Sequence, residues 1–266
     1  MNHWIFLSKE GKDEYINMFA MGSGGRVIST DDFNYSDSND PIVLRGILKK
    51  KIMQKCWLDG RDFYFMDTGY LGNQKSTLNP MGWKYYHRIV KNDLQHSNIV
   101  KRPDDRFKKL DMPIEKWKKG GRKILIAKPD EKPCIFYGID LDEWLNETIE
   151  TIKKYTDRPI EVRERVKSRA DRTITNTLKQ ALDEDVHCLV TYNSNAATES
   201  VLYGIPAFTL APTHAAAPVC LQDLSRIENP YYADQDLVYQ WACHLAYCQF
   251  HVNELKDGTA WRILND

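Results

Sequence analysis

The sequence predicts an α/β protein of two lobes, each built around a parallel sheet. Three observations carry that expectation. Short apolar strands alternate with helical stretches along the whole chain. A lysine-rich stretch at 101–121, punctuated by Pro103, Pro113, Gly120 and Gly121, reads as a crossing between two such runs. A fresh apolar strand, "RKILIAKP" at 122–129, then opens the second run. Two runs of this kind make Rossmann-like lobes with a cleft between them, and ligands in such sheets bind beyond the carboxyl ends of the strands. The expected division is 1–118 for the first lobe and 119–245 for the second, with a helix and tail at 246–266 packing back on the first.

The first lobe begins with a strand at 4–8, a helix near 11–21, a "GSGG" turn and a strand at 26–30. A loop rich in Asp, Asn and Ser follows, and "PIVLRGILKKKIMQKCWLDG" reads as an amphipathic helix. "DFYFMDTGYLGN" is a buried strand leading into a glycine-containing loop, and "GWKYYHRIVKND" suits a strand or a short helix. In the second lobe, 140–157 is a helix with Asp140 as N-cap, acids in its first turn and lysines near its end. A strand at 158–166, a helix at 175–185, a strand at 186–192 and a strand at 205–210 follow. A long helix from about Asp236 to Glu254 is expected near the end.

Composition excludes some classes. No apolar run approaches the roughly 20 residues of a membrane span, and the first residues lack the basic start and apolar stretch of a signal peptide. The six cysteines are scattered without a metal-ligand spacing, as in reduced cytoplasmic proteins. A monomer is expected. The net charge is zero, but residues 1–119 carry 21 Lys/Arg against 15 Asp/Glu, and residues 120–266 carry 16 against 22. That polarity suggests a polyanion at the first half; two solvated basic faces are the plainer explanation.

The most informative stretch is "VTYNSNAATESVLYGIPAFTL", 190–210. A strand stops at Tyr192 or Asn193, and small polar residues lead into a short helix. Free N–H groups at a helix start favour an anion, and small side chains let it approach. Ser194 and Asn195 can add hydrogen bonds, and Glu199 in the first turns can hold a sugar or ribose hydroxyl. Gly204 suits the left-handed helix end, and Pro206 prevents continuation. The same residues also suit an ordinary strand-to-helix turn that Ser194 or Asn195 merely caps.

This stretch resembles the nucleotide-sugar site of two-lobed, GT-B-type glycosyltransferases, especially the capsule-polysaccharide branch and the phage enzymes that glycosylate hydroxymethylated pyrimidines in DNA. The likeness is tight over about 20 residues and loose over 120–250. It implies a GT-B-like fold, with Ser194, Asn195 and Ala196 meeting the donor diphosphate and Glu199 a donor hydroxyl. Basic residues leaving the strand before, Arg163 and Arg165, would face the diphosphate. His214 in "APTHAAAP" would line the nucleotide or leaving group. The nucleotide sugar, UDP-linked by expectation, is a co-substrate, and no cofactor is implied. The runs "DLD" (140–142), "DED" (183–185) and "DQD" (234–236) sit at helix starts or before a strand, so a metal-independent reaction is expected.

An inverting transfer needs a base for the acceptor hydroxyl. Asp67, at the carboxyl end of an apolar strand, is the candidate. Lys49, Lys50 and Lys51 suit phosphate contacts, and Tyr70, His87 and Arg88 suit acceptor contacts. The resulting expectation is transfer of a hexose or pentose to 5-hydroxymethylcytosine in double-stranded DNA. A saccharide acceptor, as in capsule synthesis, is the enzymatic alternative, and a non-catalytic DNA- or nucleotide-binding module is the other.

Overall fold

The computed structural model describes residues 3–72, 85–164 and 177–265. In chain order its elements are β1 (Ile5–Ser8), α1 (Glu14–Ser23), β2 (Arg26–Ser29), β3 (Ile42–Arg45), α2 (Lys50–Asp59), β4 (Phe63–Thr68) and β5 (Tyr86–Lys91). Then come α3 (Asp105–Leu110), β6 (Lys123–Ala127), α4 (Glu131–Tyr137), α5 (Leu141–Lys153), β7 (Ile160–Arg163), α6 (Leu178–Leu182), β8 (Val186–Thr191), α7 (Ala196–Leu202) and β9 (Ala207–Thr209). The chain ends with α8 (Gln235–Tyr247), β10 (Gln249–His251), α9 (Val252–Lys256) and α10 (Thr259–Asn265). It divides into two units, residues 1–94 with 246–266, and residues 95–245.

The first unit holds a six-stranded sheet in the order β10-β5-β4-β3-β1-β2. Its β1, β2, β3 and β4 are mutually parallel, and β5 runs antiparallel to both β4 and β10. Strand alternation divides the core. Trp4, Phe6, Val43, Tyr64 and Met66 pack with Ile16 and Phe19 of α1, Leu255 of α9 and Ala260 of α10. Trp4 stacks on Tyr64 with ring centroids 4.0 Å apart. The alternate positions Ile5, Leu7, Ile42, Leu44, Phe63 and Phe65 are equally buried, as central strands covered on both faces require.

Two elements differ from expectation. The stretch 41–60 is not one helix. Ile42, Val43 and Leu44 are fully buried between β1 and β4, where a run of three apolar residues fits a parallel strand better than one helix face. Gly46, at φ 83°, then turns the chain before α2 begins. The long C-terminal helix stops at Tyr247, and Gln249–His251 add a strand to β5. Gln249 secures that edge by accepting from the Leu71 N–H (2.8 Å) and donating to the Leu71 carbonyl (2.9 Å). His251 then caps α9, with Glu254 reaching back reciprocally.

Gly22 marks the closest approach in this unit. A Cβ there would lie 2.0 Å from the Leu255 carbonyl oxygen and 2.7 Å from the Gly258 nitrogen. Both are backbone atoms, so α1 and α9 must separate to admit it. Gly22→Ala is expected to cost about 1–3 kcal/mol in denaturant unfolding. An unchanged midpoint would refute the close α1–α9 contact.

The second unit holds a parallel sheet in the order β7-β6-β8-β9. Asp140 caps α5 as expected, its Oδ1 accepting from the Asp142 and Glu143 N–H groups at 2.9 Å each. Helix α5 then lays Trp144 and Ile152 on Ile124, Ile126, Cys188, Val190 and Phe208. Thr177 and Gln180 form a capping box at α6.

The first boundary falls at Leu94, well before residue 118. The lysine-rich stretch therefore belongs to the second unit and is built into it. Glu115 donates its N–H to the Leu202 carbonyl and Lys118 its N–H to the Gly204 carbonyl, both at 2.8 Å. Counted by these units, Lys/Arg against Asp/Glu is 15 to 14 in the first and 22 to 23 in the second. The sequence-level polarity was a consequence of where the chain was cut.

Candidate active site

The parallel register lines up the strand ends of the second unit. Arg163 of β7 pairs with Ala127 of β6, Ala127 with Thr191 of β8, and Thr191 with Thr209 of β9. Neighbouring strands lie about 4.8 Å apart, so the segments leaving Arg163, Thr191 and Thr209 emerge at one edge of the sheet. This is the carboxyl edge, where open α/β sheets bind ligands.

The segment after β8 carries Ser194, Asn195 and Ala196, all partly exposed. Ser194 does the capping: its Oγ accepts the Ala196 N–H at 3.2 Å, and its carbonyl accepts the Ala197 N–H at 3.2 Å. Asn195 occupies the N-cap place with helical backbone, and its side chain makes no cap bond. Helix α7 then carries Glu199. Desolvation pushes the Glu199 carboxyl up to about 7, and the positive charge of Arg163 pulls the other way. Ionised Arg163 thus acts on a carboxyl that the protein keeps close to its protonated form at neutral pH. Arg165 lies outside the described residues.

His214 has a different place from the one expected. It is fully buried. Its Nδ1 accepts the Ala216 N–H at 2.9 Å, so the ring proton is on Nε2, which donates to the Ser194 carbonyl at 3.1 Å. Both ring nitrogens are used, Nδ1 within the segment after β9 and Nε2 in joining it to the segment after β8, which leaves no free edge for a leaving group. Two further buried side chains hold these segments: Gln95 joins both, and Trp241 fixes the one after β9. Gln95 contacts the Ala215 N–H and the Asn193 carbonyl, and Trp241 Nε1 donates to the Ala215 carbonyl at 2.7 Å. Neither residue has a sequence signal, since Gln95 lies in a polar stretch and Trp241 in an apolar helix.

In the first unit, Asp67 stands near the end of β4. Its Oδ1 accepts the Thr68 N–H at 2.7 Å, and its Oδ2 pairs with Arg88 at 3.3 Å. Arg88 also donates to the Thr68 carbonyl and lies over the Tyr70 ring, 5.1 Å from its centroid. Tyr70 and His87 are each 1% exposed, and the His87 ring lies 4.0 Å from that of Tyr15. Burial removes Tyr70, His87 and Arg88 as surface contacts for an acceptor. Lys49 is likewise drawn inward: its Nζ donates to the Leu7 carbonyl at 3.1 Å, and burial lowers its pKa. Lys50 and Lys51 lie in the first turn of α2, and Lys51 is exposed.

At least four of the ten basic residues at 101–123 are ion-paired. Lys108 pairs with Asp104, Lys118 with Glu115 and Asp183, Arg122 with Asp185, and Lys123 with Glu161 and Glu184. These pairs and the caps also occupy the three Asp-x-Asp runs: Asp140 caps α5, Asp183 and Asp185 are ion-paired, and Asp234 accepts the Asp236 N–H. Among the described residues no cluster of three or more His, Cys, Asp or Glu is placed to hold a metal, and no helix is long and apolar enough to cross a membrane.

A cavity of about 490 Å³ opens beyond β6. Its wall carries Asp130, Glu131, Asp140, Asp142 and Glu164 against one lysine, Lys128, which bridges Asp142 and Glu164 at 3.3 Å each. So acidic a wall, at the β6 exit between those of β7 and β8, repels a diphosphate.

No protein-family model matches the chain, and no curated protein matches it either. Solved structures do. The β-Kdo 2,4 transferase of KpsC from Thermosulfurimonas dismutans superposes with a TM-score of 0.54 at 11% identity, covering 91% of this chain and 90% of that one. The likeness is one of fold: two α/β units with parallel sheets, as in GT-B-like glycosyltransferases.

Proposed function

We propose that the protein is a glycosyltransferase that moves a sugar from a nucleotide-sugar donor to a saccharide acceptor. The observation that carries this reading is the carboxyl edge of the second sheet. There Arg163 ends β7 and the small residues 194–196 follow β8, one on each side of β6, and the Arg163 charge acts on the Glu199 carboxyl. Arg163 and the turn at Ser194–Ala196 take the donor diphosphate, and Glu199 takes a donor hydroxyl. The fold of the Kdo transferase supports the class of reaction.

The saccharide acceptor is favoured over hydroxymethylcytosine DNA by charge. The first unit carries 15 basic residues against 14 acidic ones, and at least four of the ten basic residues in the run that suggested a polyanion are ion-paired within the second unit. Affinity for DNA comes chiefly from unneutralised Lys and Arg on phosphates. Asp67 keeps the role of candidate base, held in orientation by Arg88 and the Thr68 N–H.

The test is a transfer assay with a panel of radiolabelled nucleotide sugars, offered oligosaccharides or a hydroxymethylated duplex. Label in an oligosaccharide is expected. Label in the duplex alone would restore the DNA reading, and label in neither, for every donor, would reject glycosyl transfer. Asp67→Asn is expected to lower kcat by about 10²–10⁴ while nucleotide affinity stays unchanged. Transfer is expected to survive EDTA, because Arg163 and the turn at Ser194–Ala196 take the diphosphate; loss of activity restored by a divalent cation would overturn that assignment.

A further inference from the structure

We infer that Gln95 is a positioning residue for the proposed donor site, an inference that rests on the reading of that site given above. Gln95 is 4% exposed and makes two hydrogen bonds in opposite directions. Its Oε1 accepts the Ala215 N–H at 2.9 Å, and its Nε2 donates to the Asn193 carbonyl at 3.3 Å. One primary amide therefore spans the segment after β8 and the segment after β9. Asn193 immediately precedes Ser194, and Ala215 lies between His214, whose Nε2 donates to the Ser194 carbonyl, and Ala216, whose N–H donates to His214 Nδ1.

The arrangement is a set of three side-chain struts. Gln95 joins Asn193 to Ala215, His214 joins Ser194 to Ala216, and Trp241 holds the Ala215 carbonyl from α8. All three struts are buried, and all act on backbone atoms. What they fix is the path of the main chain through residues 193–196, along which a phosphate would lie, with the Ala196 N–H already taken by the Ser194 Oγ. A site lined by main chain has no rotamers to adjust, so its affinity depends on how well that path is held before the ligand arrives. An amide suits this place because it offers an acceptor and a donor at once without charge.

The same fold supplies a matched control. Gln249 in the first unit is 1% exposed and also spans backbone atoms with both ends of its amide, at Leu71. Gln95→Met and Gln249→Met each delete at least two hydrogen bonds at nearly constant volume. A structural role alone predicts that the two behave alike.

The experiment is isothermal titration of wild type, Gln95→Met, Gln95→Glu and Gln249→Met with UDP, GDP, ADP and CMP, alongside thermal unfolding of each. Gln95→Glu keeps the acceptor for the Ala215 N–H and loses the donor to Asn193, so it remains informative should Gln95→Met fail to fold. The expected result is that the best-bound nucleotide loses at least tenfold in affinity in both Gln95 variants and less than twofold in Gln249→Met. Comparable losses of thermal stability are expected for the two Met variants. Unchanged nucleotide affinity in a folded Gln95 variant would overturn the positioning role and leave the donor site standing. Wild-type protein that binds none of the four nucleotides would overturn the donor site, and this inference with it.

Discussion

Gly204→Ala is expected to destabilise the second unit by about 2–3 kcal/mol. Gly204 has φ 73°, a conformation that costs an L-residue about 1–2 kcal/mol. A Cβ there would also lie 2.2 Å from the Lys116 carbonyl oxygen. That atom belongs to the extended stretch that donates to Leu202 and Gly204 through Glu115 and Lys118. The methyl group therefore forces the stretch away and breaks at least one of those bonds, worth about 1 kcal/mol. Gly138→Ala separates the two costs, because Gly138 has φ 72° with nothing within 4 Å of its Cβ position. Denaturant unfolding of both variants is expected to show Gly138→Ala losing only the conformational part. Equal losses would show that the 115–118 stretch does not lie against α7.

Glu199→Gln is expected to make the protein more stable and less active. Burial raises the folded-state pKa of Glu199 from 4.5 to about 7 against the pull of Arg163. The unfolded chain ionises this carboxyl near 4.5, so between pH 4.5 and 7 the folded state binds more protons than the unfolded one. Stability therefore falls as pH rises through that window. Below pH 4.5 both states are protonated and the penalty vanishes; above pH 7 it is complete. Glutamine cannot ionise, so at pH 8 the variant gains about 1–3 kcal/mol, and at pH 4 it matches wild type. Transfer falls at least tenfold if Glu199 holds a donor hydroxyl. Thermal scans at the two pH values check the first part, and kcat/KM checks the second. A variant less stable than wild type at pH 8 would mean that attraction to Arg163 outweighs desolvation.

Much of this fold is written in local pattern. Parallel central strands are continuous apolar runs, and "KILIA" and "VHCLVT" announce themselves as such. Asp140 with the acids that follow it, and Gly204 with Pro206, mark helix boundaries by chemistry confined to a few residues. The strand at Ile42–Arg45 escaped because four residues running straight into a 3₁₀ turn and a helix look like helix when read as one window. The strand at Gln249–His251 escaped because what selects it is a distant partner, Leu71, met through a side-chain amide.

The candidate site was legible to a similar extent. Ser194–Ala196 and Glu199 were visible because small residues and an acid between a strand and a short helix are unusual together. Arg163 was visible as the last residue of a strand. His214 was found for the wrong reason: it looked like a ligand contact and is instead a strut, a distinction that depends on burial and on which ring nitrogen accepts a proton. The basic acceptor surface came from a cut at residue 119, which the contact between the 115–118 stretch and α7 moves to Leu94. Charge along a sequence says little until the partners of each charge are known.

The most direct measurement is hydrogen–deuterium exchange of the protein with and without whichever of UDP, GDP, ADP and CMP binds best. The donor assignment predicts slowed exchange in peptides covering 193–199 and 211–217, and no change in peptides covering 128–142, which line the acidic cavity beyond β6. Slowed exchange confined to 128–142, or no change with any of the four nucleotides, would contradict it.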